Sequence, residues 1–358
     1  MYRSVSPIKN KPSFSARLLA WHKRHGRHDL PWQGTRDAYR IWVAEIMLQQ
    51  TQVAAVIPYY QRFLERFPDI ATLAGAPQDE VLRLWSGLGY YSRARNLQRA
   101  AQQVAEHHQG RFPRALEEIE ALPGIGRSTA AAIAAFAYGT RAPILDGNVK
   151  RVLARHFAVA GYPGEKRVEQ RLWQLAEKQL PPRAIGSYTQ AIMDLGATLC
   201  TRARPRCADC PLAHGCQALA LGRVRDFPAP RPAKALPTRA THMLLLVRNN
   251  EVLLEKRPSS GIWGGLWSLP EIADAAGVRV HCRTHYGSSI AAPQPLAPLA
   301  HGFTHFKLQI QPLLCRVEKL APAARAPGQI WLSLEDAHGA AIPVPVRKLI
   351  ERLLGDPP

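Results

Sequence analysis

The fold is decided by the segment from Leu122 to Arg151. It opens with Leu122-Pro123-Gly124-Ile125-Gly126-Arg127-Ser128-Thr129 and closes with Leu145-Asp146-Gly147-Asn148-Val149-Lys150-Arg151. The alanine-rich run between them predicts a buried, closely packed helix. Gly124 and Gly126 are expected to turn the backbone at positive φ and to expose successive N–H groups ahead of that helix, where a phosphate binds well. The glycines by themselves also fit an ordinary tight turn.

Asp146 stands just before Gly147 and a second predicted helix, so its default role is an N-cap. A carboxylate fixed beside a phosphate-binding hairpin can also face a positive charge that develops on a sugar. The spacing predicts the cap, and the chemical role stays an alternative at this point.

The composition predicts a polyanionic partner. The 358 residues suit two domains, and 47 Lys and Arg against 27 Asp and Glu give a net charge of +20. No apolar run reaches the roughly 18 residues of a membrane helix. Four clustered and two separate cysteines do not form a secreted disulfide framework, so we expect an intracellular, cytoplasmic protein. The first residues predict a basic arm that leads into a helix at about Ser13.

Glu45 lies within a predicted helical region, Arg36 to Phe67, in the run Glu-Ile-Met-Leu-Gln-Gln-Thr-Gln. Most helix glutamates lie on the exposed edge of an amphipathic helix. Here apolar residues surround Glu45 in sequence, and a carboxyl group in such surroundings has a raised pKa and becomes a usable acid near neutral pH.

A glycine-rich turn carries aromatic and basic residues at Gly87-Leu88-Gly89-Tyr90-Tyr91-Ser92-Arg93-Ala94-Arg95. Tyr90 or Tyr91 either fills a core or wedges into a duplex where a base has left. Arg93 and Arg95 are candidates for phosphate contacts.

Four cysteines, Cys200, Cys207, Cys210 and Cys216, leave six, two and five residues between successive members. Four thiols this close in sequence can surround one metal centre. A structural zinc site usually shows two C-x₂-C pairs, whereas only Cys207 and Cys210 form such a pair here. From the spacing alone, a metal cluster with several ions, a single zinc ion and free thiols all remain open.

The pattern changes after a proline-rich, basic linker at residues 226–240. Met243 to Val247 and Val252 to Glu255 predict two strands joined at Asn249-Asn250. Further strands are expected near Phe306 to Cys315, and a last helix over about Pro345 to Leu354.

These motifs, in this order, resemble the MutY family of adenine DNA glycosylases within the helix–hairpin–helix iron–sulfur superfamily. The resemblance covers nearly the whole chain. It implies a mainly α glycosylase domain at 1–225, a 4Fe–4S cluster loop at 200–216 held by the four cysteines, and an α+β Nudix-like domain at 241–358 that recognises 8-oxoguanine. The implied substrate is adenine mispaired with 8-oxoguanine or guanine in double-stranded DNA, bound by a monomer with no membrane association.

The resemblance also assigns residues. Glu45 would be the general acid and Asp146 the carboxylate that stabilises the sugar cation, with Asn148 and Ser128 supporting the site. DNA contacts would come from Gln49, Tyr90, Arg93, Leu122, Gly124, Gly126 and Lys150. Phe303, Thr304 and His305 match a family Phe-Ser-His segment that probes the oxidised guanine, with Thr304 in place of the serine.

Three alternatives remain. An enzyme resembling endonuclease III would cut the strand with a lysine nucleophile, but Ser128 occupies that position and cannot form a Schiff base; Lys150 lies past Asp146. A nucleotide pyrophosphohydrolase needs several helix glutamates for magnesium, and Glu271 and Asp274 are the only acids from 271 to 300. A non-catalytic iron–sulfur DNA-binding protein leaves Glu45 and Asp146 unexplained.

Overall fold

Helices make up most of the chain up to residue 220 in the computed structural model, which describes residues 12–232, 235–321 and 326–355. The part of the predicted basic arm that precedes residue 12 lies outside the described residues. In chain order these helices are α1 (Phe14–His25), α2 (Ala38–Leu48), α3 (Val53–Arg66), α4 (Ile70–Gly75), α5 (Gln78–Trp85), α6 (Ser92–His107), α7 (Leu116–Ala121), α8 (Arg127–Tyr138), α9 (Gly147–His156), α10 (Lys166–Gln179), α11 (Ile185–Thr198) and α12 (Gln217–Ala220).

The Leu122–Arg151 segment forms the predicted hairpin and pair of helices. Helix α8 buries all of its alanines, and this small-residue surface packs against α2 and α11. Gly124 has the expected positive φ of 82°, but Gly126 has a φ of −102°, so the prediction of a positive φ there is wrong. Gly126 instead serves as the N-cap of α8, where extended backbone is the usual conformation.

A single apolar core holds the helices around the hairpin together. Leu18 of α1, Leu153 of α9, Leu172 of α10 and Leu195 of α11 are fully buried in it. Burying one such side chain stabilises the fold by about 1.5–3 kcal/mol. This core fixes α8, α9 and α11 relative to one another, and these helices carry the candidate site.

The C-terminal part contains a mixed sheet and three helices. Strand β1 (Thr238–Arg248) pairs in parallel with β8 (Lys307–Leu320) and antiparallel with β2 (Glu251–Lys256). With β3 (Trp267–Ser268) and β5 (Ser288–Ile290) the order is β3-β2-β1-β8-β5. The β1–β2 turn is the predicted one, with Asn249 and Asn250 both at positive φ. The strands are β1 (Thr238–Arg248), β2 (Glu251–Lys256), β3 (Trp267–Ser268), β4 (Glu271–Ile272), β5 (Ser288–Ile290), β6 (Gln294–Pro295), β7 (Leu299–Gly302), β8 (Lys307–Leu320) and β9 (Gln329–Ser333); the helices are α13 (Val278–Tyr286), α14 (Leu334–Gly339) and α15 (Val344–Gly355).

The described residues divide into two units. The first contains 12–64, 69–71 and 100–232, and the second contains 65–68, 72–99, 235–321 and 326–355. Residues of α5 join the second unit through specific contacts: Asp79 forms an ion pair with Lys256, and its Oδ2 accepts a 3.1 Å hydrogen bond from Trp267 Nε1. No helix in the described part of the chain is long and apolar enough to span a membrane.

Candidate active site

Glu45 is carried by a helix that is buried on almost all sides. Asp37 starts α2 by accepting hydrogen bonds from the N–H groups of Tyr39 and Arg40. Beside Glu45, the side chains of Ala44 and Ile46 are buried, and so are Ile41 and Trp42 one turn earlier. Glu45 itself is half-buried because it opens onto a cavity. Burial, together with the charge of Asp146, raises the pKa of Glu45 to about 8.

Asp146 caps α9, as its position in the sequence predicts. Its Oδ1 accepts a 2.8 Å hydrogen bond from the N–H of Val149, and Asn148 Nδ2 lies 3.4 Å from Oδ2. Burial raises the pKa of Asp146, although these hydrogen bonds and the charge of Arg151 act in the opposite direction. The carboxylate is therefore fixed in direction by the helix that it caps.

Ser128 connects the two helices of the hairpin. Its hydroxyl oxygen accepts a 2.9 Å hydrogen bond from the N–H of Leu145, the residue directly before Asp146. The first turn of α8 thereby holds the backbone that presents Asp146. This gives Ser128 a supporting function in the site.

One cavity of about 190 Å³ is lined by five of the predicted residues of the first unit. Glu45 and Asp146 line it together, with Asn148, Ser128 and Gln49. A second cavity of about 350 Å³ shares Arg27, Trp32, Glu45 and Gln190 with the first. Two carboxyl groups with unequal surroundings in one cavity can divide the work of an acid and an anion.

The predicted DNA-contact residues fall into different environments. Gln49 is half-buried at the end of α2, with its amide nitrogen 3.4 Å from Thr129 Oγ1. Tyr90, in the second unit, is 43% exposed and has a left-handed φ of 49°. Gly124 and Gly126 are exposed in the turn just before α8.

Three of the predicted contact residues have internal partners. Arg93 is 8% exposed and donates to the carbonyl oxygens of Leu88 and Gly89, so its guanidinium organises the Tyr90 turn; burial lowers its pKa to about 10. The side chain of Leu122 is buried in the core, so only its backbone can reach a partner. Lys150 forms a 2.6 Å ion pair with Glu169.

The structure adds residues that the sequence did not single out. Arg27, Trp32 and Gln190 line both cavities, and Asp194 is completely buried behind them. A signal for Asp194 was available, since an acid between Met193 and Leu195 on an apolar helix is unusual. No periodic pattern in the sequence distinguishes Arg27, Trp32 or Gln190 from residues outside the site.

The four clustered cysteines lie in the loop that follows α11. They are unpaired and half-buried. Burial, together with the charges of the other three thiols, raises the pKa of Cys210 to about 11. Among the described residues, no three His, Cys, Asp or Glu side chains are arranged around a point where one metal ion fits.

Two arginines of α9 hold this loop. Arg155 is 3% exposed and donates to the carbonyl oxygens of Thr201, Arg202 and Phe227, and its Nη1 lies 3.4 Å from the Sγ of Cys200. Arg151 donates to the carbonyl oxygen of Cys200 at 2.7 Å and to Asn148 Oδ1 at 2.8 Å. The backbone of the cysteine loop is thereby joined to the residue that contacts Asp146.

The His301–Phe306 segment of the second unit runs from the end of β7 through an exposed turn at Thr304 and His305 to buried Phe306. Phe303 is half-buried and stacks on buried Phe306, with ring centroids 4.4 Å apart. Trp263 packs against the other side of this cluster, 5.6 Å from Phe303. Thr304 and His305 are exposed. The loop therefore combines an anchored aromatic ring with two accessible polar side chains.

Comparisons with known proteins agree with this arrangement. The family described as the HhH-GPD superfamily of base excision DNA repair proteins matches residues 43–178, and the NUDIX domain family matches residues 242–352. The part of the chain that carries the hairpin therefore belongs to the class of base excision DNA repair proteins.

Full-length relatives define the family more closely. The chain is 36% identical to the adenine DNA glycosylase of Buchnera aphidicola subsp. Acyrthosiphon pisum, over 94% of this chain and 97% of that protein. It is 34% identical to the adenine DNA glycosylase of Homo sapiens, over 100% of this chain and 76% of that protein. A solved thermostable thymine-DNA glycosylase matches with a TM-score of 0.54 and 30% identity, over 58% of this chain and 95% of that one. The chain belongs to the adenine DNA glycosylase family.

Proposed function

We propose that this enzyme hydrolyses the N-glycosidic bond of adenine mispaired with 8-oxoguanine or guanine in duplex DNA. Glu45 acts as the general acid and Asp146 stabilises the positive charge on the sugar. The observation that carries this proposal is that both carboxyl groups line one cavity in the first unit while their hydrogen bonding differs.

The two environments suit the two roles. Adenine is a poor leaving group until its ring is protonated, and Glu45 keeps a proton up to a pH of about 8. Asp146 accepts hydrogen bonds from Val149 and Asn148, which favour its ionised form against the effect of burial. An ionised carboxylate fixed beside the sugar stabilises the developing cation.

The base must leave the duplex to reach this cavity, because the reacting atoms are inaccessible inside the stack. Extrusion costs a few kcal/mol, and a mispair reduces this cost. Exposed Tyr90 is suited to fill the vacated stack, and Gln49 borders the cavity. The exposed backbone of Gly124 and Gly126 at the start of α8 suits a phosphate.

Strand cleavage is not part of the proposed reaction. Ser128 lacks an amine, and its hydroxyl oxygen is already bound by the N–H of Leu145. Lys150, the nearest lysine in sequence to Asp146, is paired with Glu169. We therefore propose a monofunctional glycosylase that leaves an abasic site.

Cys200, Cys207, Cys210 and Cys216 are the proposed ligands of a 4Fe–4S cluster. Burial and then the charges of the neighbouring thiolates raise the pKa of Cys210, and a cationic iron core would supply the positive charge that stabilises the thiolates. Each thiolate of such a cluster binds its own iron, so the four sulfurs do not need to meet at one ion. The bound cluster would stiffen a loop that carries Arg202, Arg204 and Arg206, which favours a phosphate-binding surface.

The C-terminal part is proposed to recognise the oxidised guanine. Phe303 is anchored on Phe306, while Thr304 and His305 are exposed and can read a base edge. Pyrophosphate hydrolysis is disfavoured because α13 contains no acidic residue that could bind magnesium. We retain 1–225, 226–240 and 241–358 as the proposed functional division, and a monomer as the proposed state.

The test is a set of duplexes that carry adenine opposite 8-oxoguanine, guanine and thymine, assayed with and without alkali. We expect adenine release opposite 8-oxoguanine and guanine, with strand breaks only after alkali. Strand breaks without alkali, at the rate of base release, would instead place the enzyme with the lyases.

A further inference from the structure

Asp194 is a buried carboxylate behind the wall of the candidate base cavity. Its side chain is 0% exposed, and it lies on α11 one turn after Gln190. It accepts hydrogen bonds from the backbone N–H of Arg27 at 2.9 Å, from Arg27 Nε at 2.7 Å and from Gln190 Nε2 at 2.8 Å. His22 Nε2 lies 3.5 Å from its Oδ2.

These partners keep Asp194 ionised. Burial by itself raises the pKa of a carboxyl group, but the contact with His22, the hydrogen bonds from Arg27 and Gln190 and the charge of Arg27 hold the pKa of Asp194 below its ordinary value. An ionised carboxylate has acceptors only, with no proton to donate. Every group that faces Asp194 must therefore be a donor.

This requirement fixes the orientation of the Gln190 amide. The amide has a donor NH₂ on one side and an acceptor oxygen on the other. The NH₂ must face Asp194, because the reverse orientation would place two acceptors against each other in a buried position. The oxygen of Gln190 is consequently left for the cavity side, where Gln190 borders the space beside Glu45.

We propose that Asp194 is a positioning residue that selects adenine by holding Gln190 with its carbonyl oxygen toward the extruded base. Adenine carries an exocyclic amino group, which donates to such an oxygen. Hypoxanthine carries a carbonyl oxygen at the same place, so two acceptors would meet. This inference rests on the proposed position of the base beside Glu45.

A purely structural role is the competing explanation. Asp194 also anchors the Arg27 segment to α11, and loss of that anchor would weaken the fold and the binding of any base alike. The two explanations differ in what happens to the ratio of affinities for two bases. Stability alone cannot change that ratio.

The test measures the affinity of duplexes that carry 2′-fluoro-deoxyadenosine or 2′-fluoro-deoxyinosine opposite 8-oxoguanine. Fluorine at this position disfavours the sugar cation, so the base stays attached and binding is measured without turnover. We expect wild type to prefer the adenine duplex, and both Asp194→Ala and Gln190→Met to reduce that preference by about tenfold or more. Gln190→Met leaves the Asp194–Arg27 contacts in place, so a loss of adenine preference in this variant comes from the missing amide and not from a weakened fold.

A double variant separates orientation from anchoring. In Asp194→Ala/Gln190→Glu, residue 190 has an oxygen on both sides, so an acceptor faces the base without any need for Asp194. We expect this double variant to regain most of the adenine preference that Asp194→Ala loses.

The proposal is overturned if Gln190→Met keeps the wild-type preference, if Asp194→Ala lowers both affinities in equal proportion, or if the double variant regains nothing. Should circular dichroism show Asp194→Ala to be unfolded, Asp194→Asn takes its place: it keeps an acceptor for Arg27 but turns a donor NH₂ toward Gln190, so the adenine preference should fall, and an unchanged preference would overturn the proposal. The proposed reaction is tested separately, because the affinity ratio is measured on duplexes that do not react. If wild type failed to release adenine from an ordinary mispair, the proposed reaction would be refuted whatever the affinity ratio.

Discussion

Glu45 and Asp146 line the same cavity although they come from different helices, and the charge of Asp146 adds to burial in raising the pKa of Glu45. The interaction favours the state in which Glu45 holds a proton and Asp146 does not. In the proposed reaction, that state supplies both the proton for the base and the negative charge beside the sugar.

Replacing either carboxyl group should stop base release and leave DNA binding. Glu45→Gln removes the proton donor, and Asp146→Asn removes the negative charge while keeping the cap of α9, since an asparagine oxygen also accepts from Val149. Single-turnover rates should fall by at least about 10²-fold, the lower end of what acid catalysis contributes. Affinity for a mispaired duplex, measured in parallel, should stay within a few-fold. A variant that keeps near wild-type rate would show that its residue has another role.

The raised pKa of Glu45 also predicts how stability varies with pH. In the unfolded chain Glu45 loses its proton near its ordinary value of 4.5, and in the folded protein near 8, so between these pH values the folded state binds more protons. The stabilisation that protonated Glu45 gives the folded state is therefore fully present below pH 4.5 and is lost as pH rises through 8. The full pKa shift would change the free energy of unfolding by about 1.4 kcal/mol for each pKa unit. Because Glu45 opens partly onto a cavity, solvent weakens the effect, and we expect a smaller total change of about 1–3 kcal/mol.

The measurement is the melting temperature of wild type and Glu45→Gln at several pH values from 5 to 8, at one scan rate. The two proteins should be similar at pH 5, and Glu45→Gln should be the more stable at pH 8. Exposed Glu118→Gln is the matched control and should show no such divergence. Parallel curves for wild type and Glu45→Gln would mean that Glu45 titrates normally.

The purified protein should be yellow-brown and hold close to four irons and four sulfides per chain. Cys207→Ser should lower the iron content and loosen the loop that Arg155 holds, which limited proteolysis between residues 200 and 216 would detect. Cys282→Ala is the control, because Cys282 is buried in the second unit among apolar residues. One zinc per chain with no visible absorbance would identify the site as a zinc site instead.

Changing the exposed loop should alter the choice of the opposite base more than the chemistry. Phe303→Ala with His305→Ala removes the anchored ring and one polar reader, so preference for 8-oxoguanine over guanine should fall several-fold, by about 1–3 kcal/mol. Single-turnover rates at saturating enzyme should change far less, because Glu45 and Asp146 are untouched. Exposed His285→Ala should leave the ratio unchanged, and Thr304→Ser tests whether the extra methyl group matters. An unchanged ratio in the double variant would give this loop a structural role only.

Local patterns predicted much of the fold. The alanine-rich α8, the Asp146 cap, the Asn249-Asn250 turn and the last helix all depend on neighbouring residues, and the structure confirms them. The positive φ at Gly126 was wrong because the residue before a helix takes extended backbone when it serves as the N-cap. The inward use of Arg93 was missed because sequence cannot show which carbonyl groups a long side chain will reach.

The sequence by itself determined that Asp146 caps the helix after it, because a cap depends on residue type and short spacing. The role of Glu45 as the acid and of the four thiols as cluster ligands stays a prediction from the family resemblance. Only the tertiary structure decided that Glu45 and Asp146 share a cavity, because packing of α2 on α8 and of α9 on α11 closes a separation of about a hundred residues. It also decided the orientation of Gln190, which depends on Asp194 being buried and ionised by the side chain of Arg27, far away in the chain. Burial and electrostatic pairing are properties of neighbours in space, and those neighbours exist only once the chain has folded.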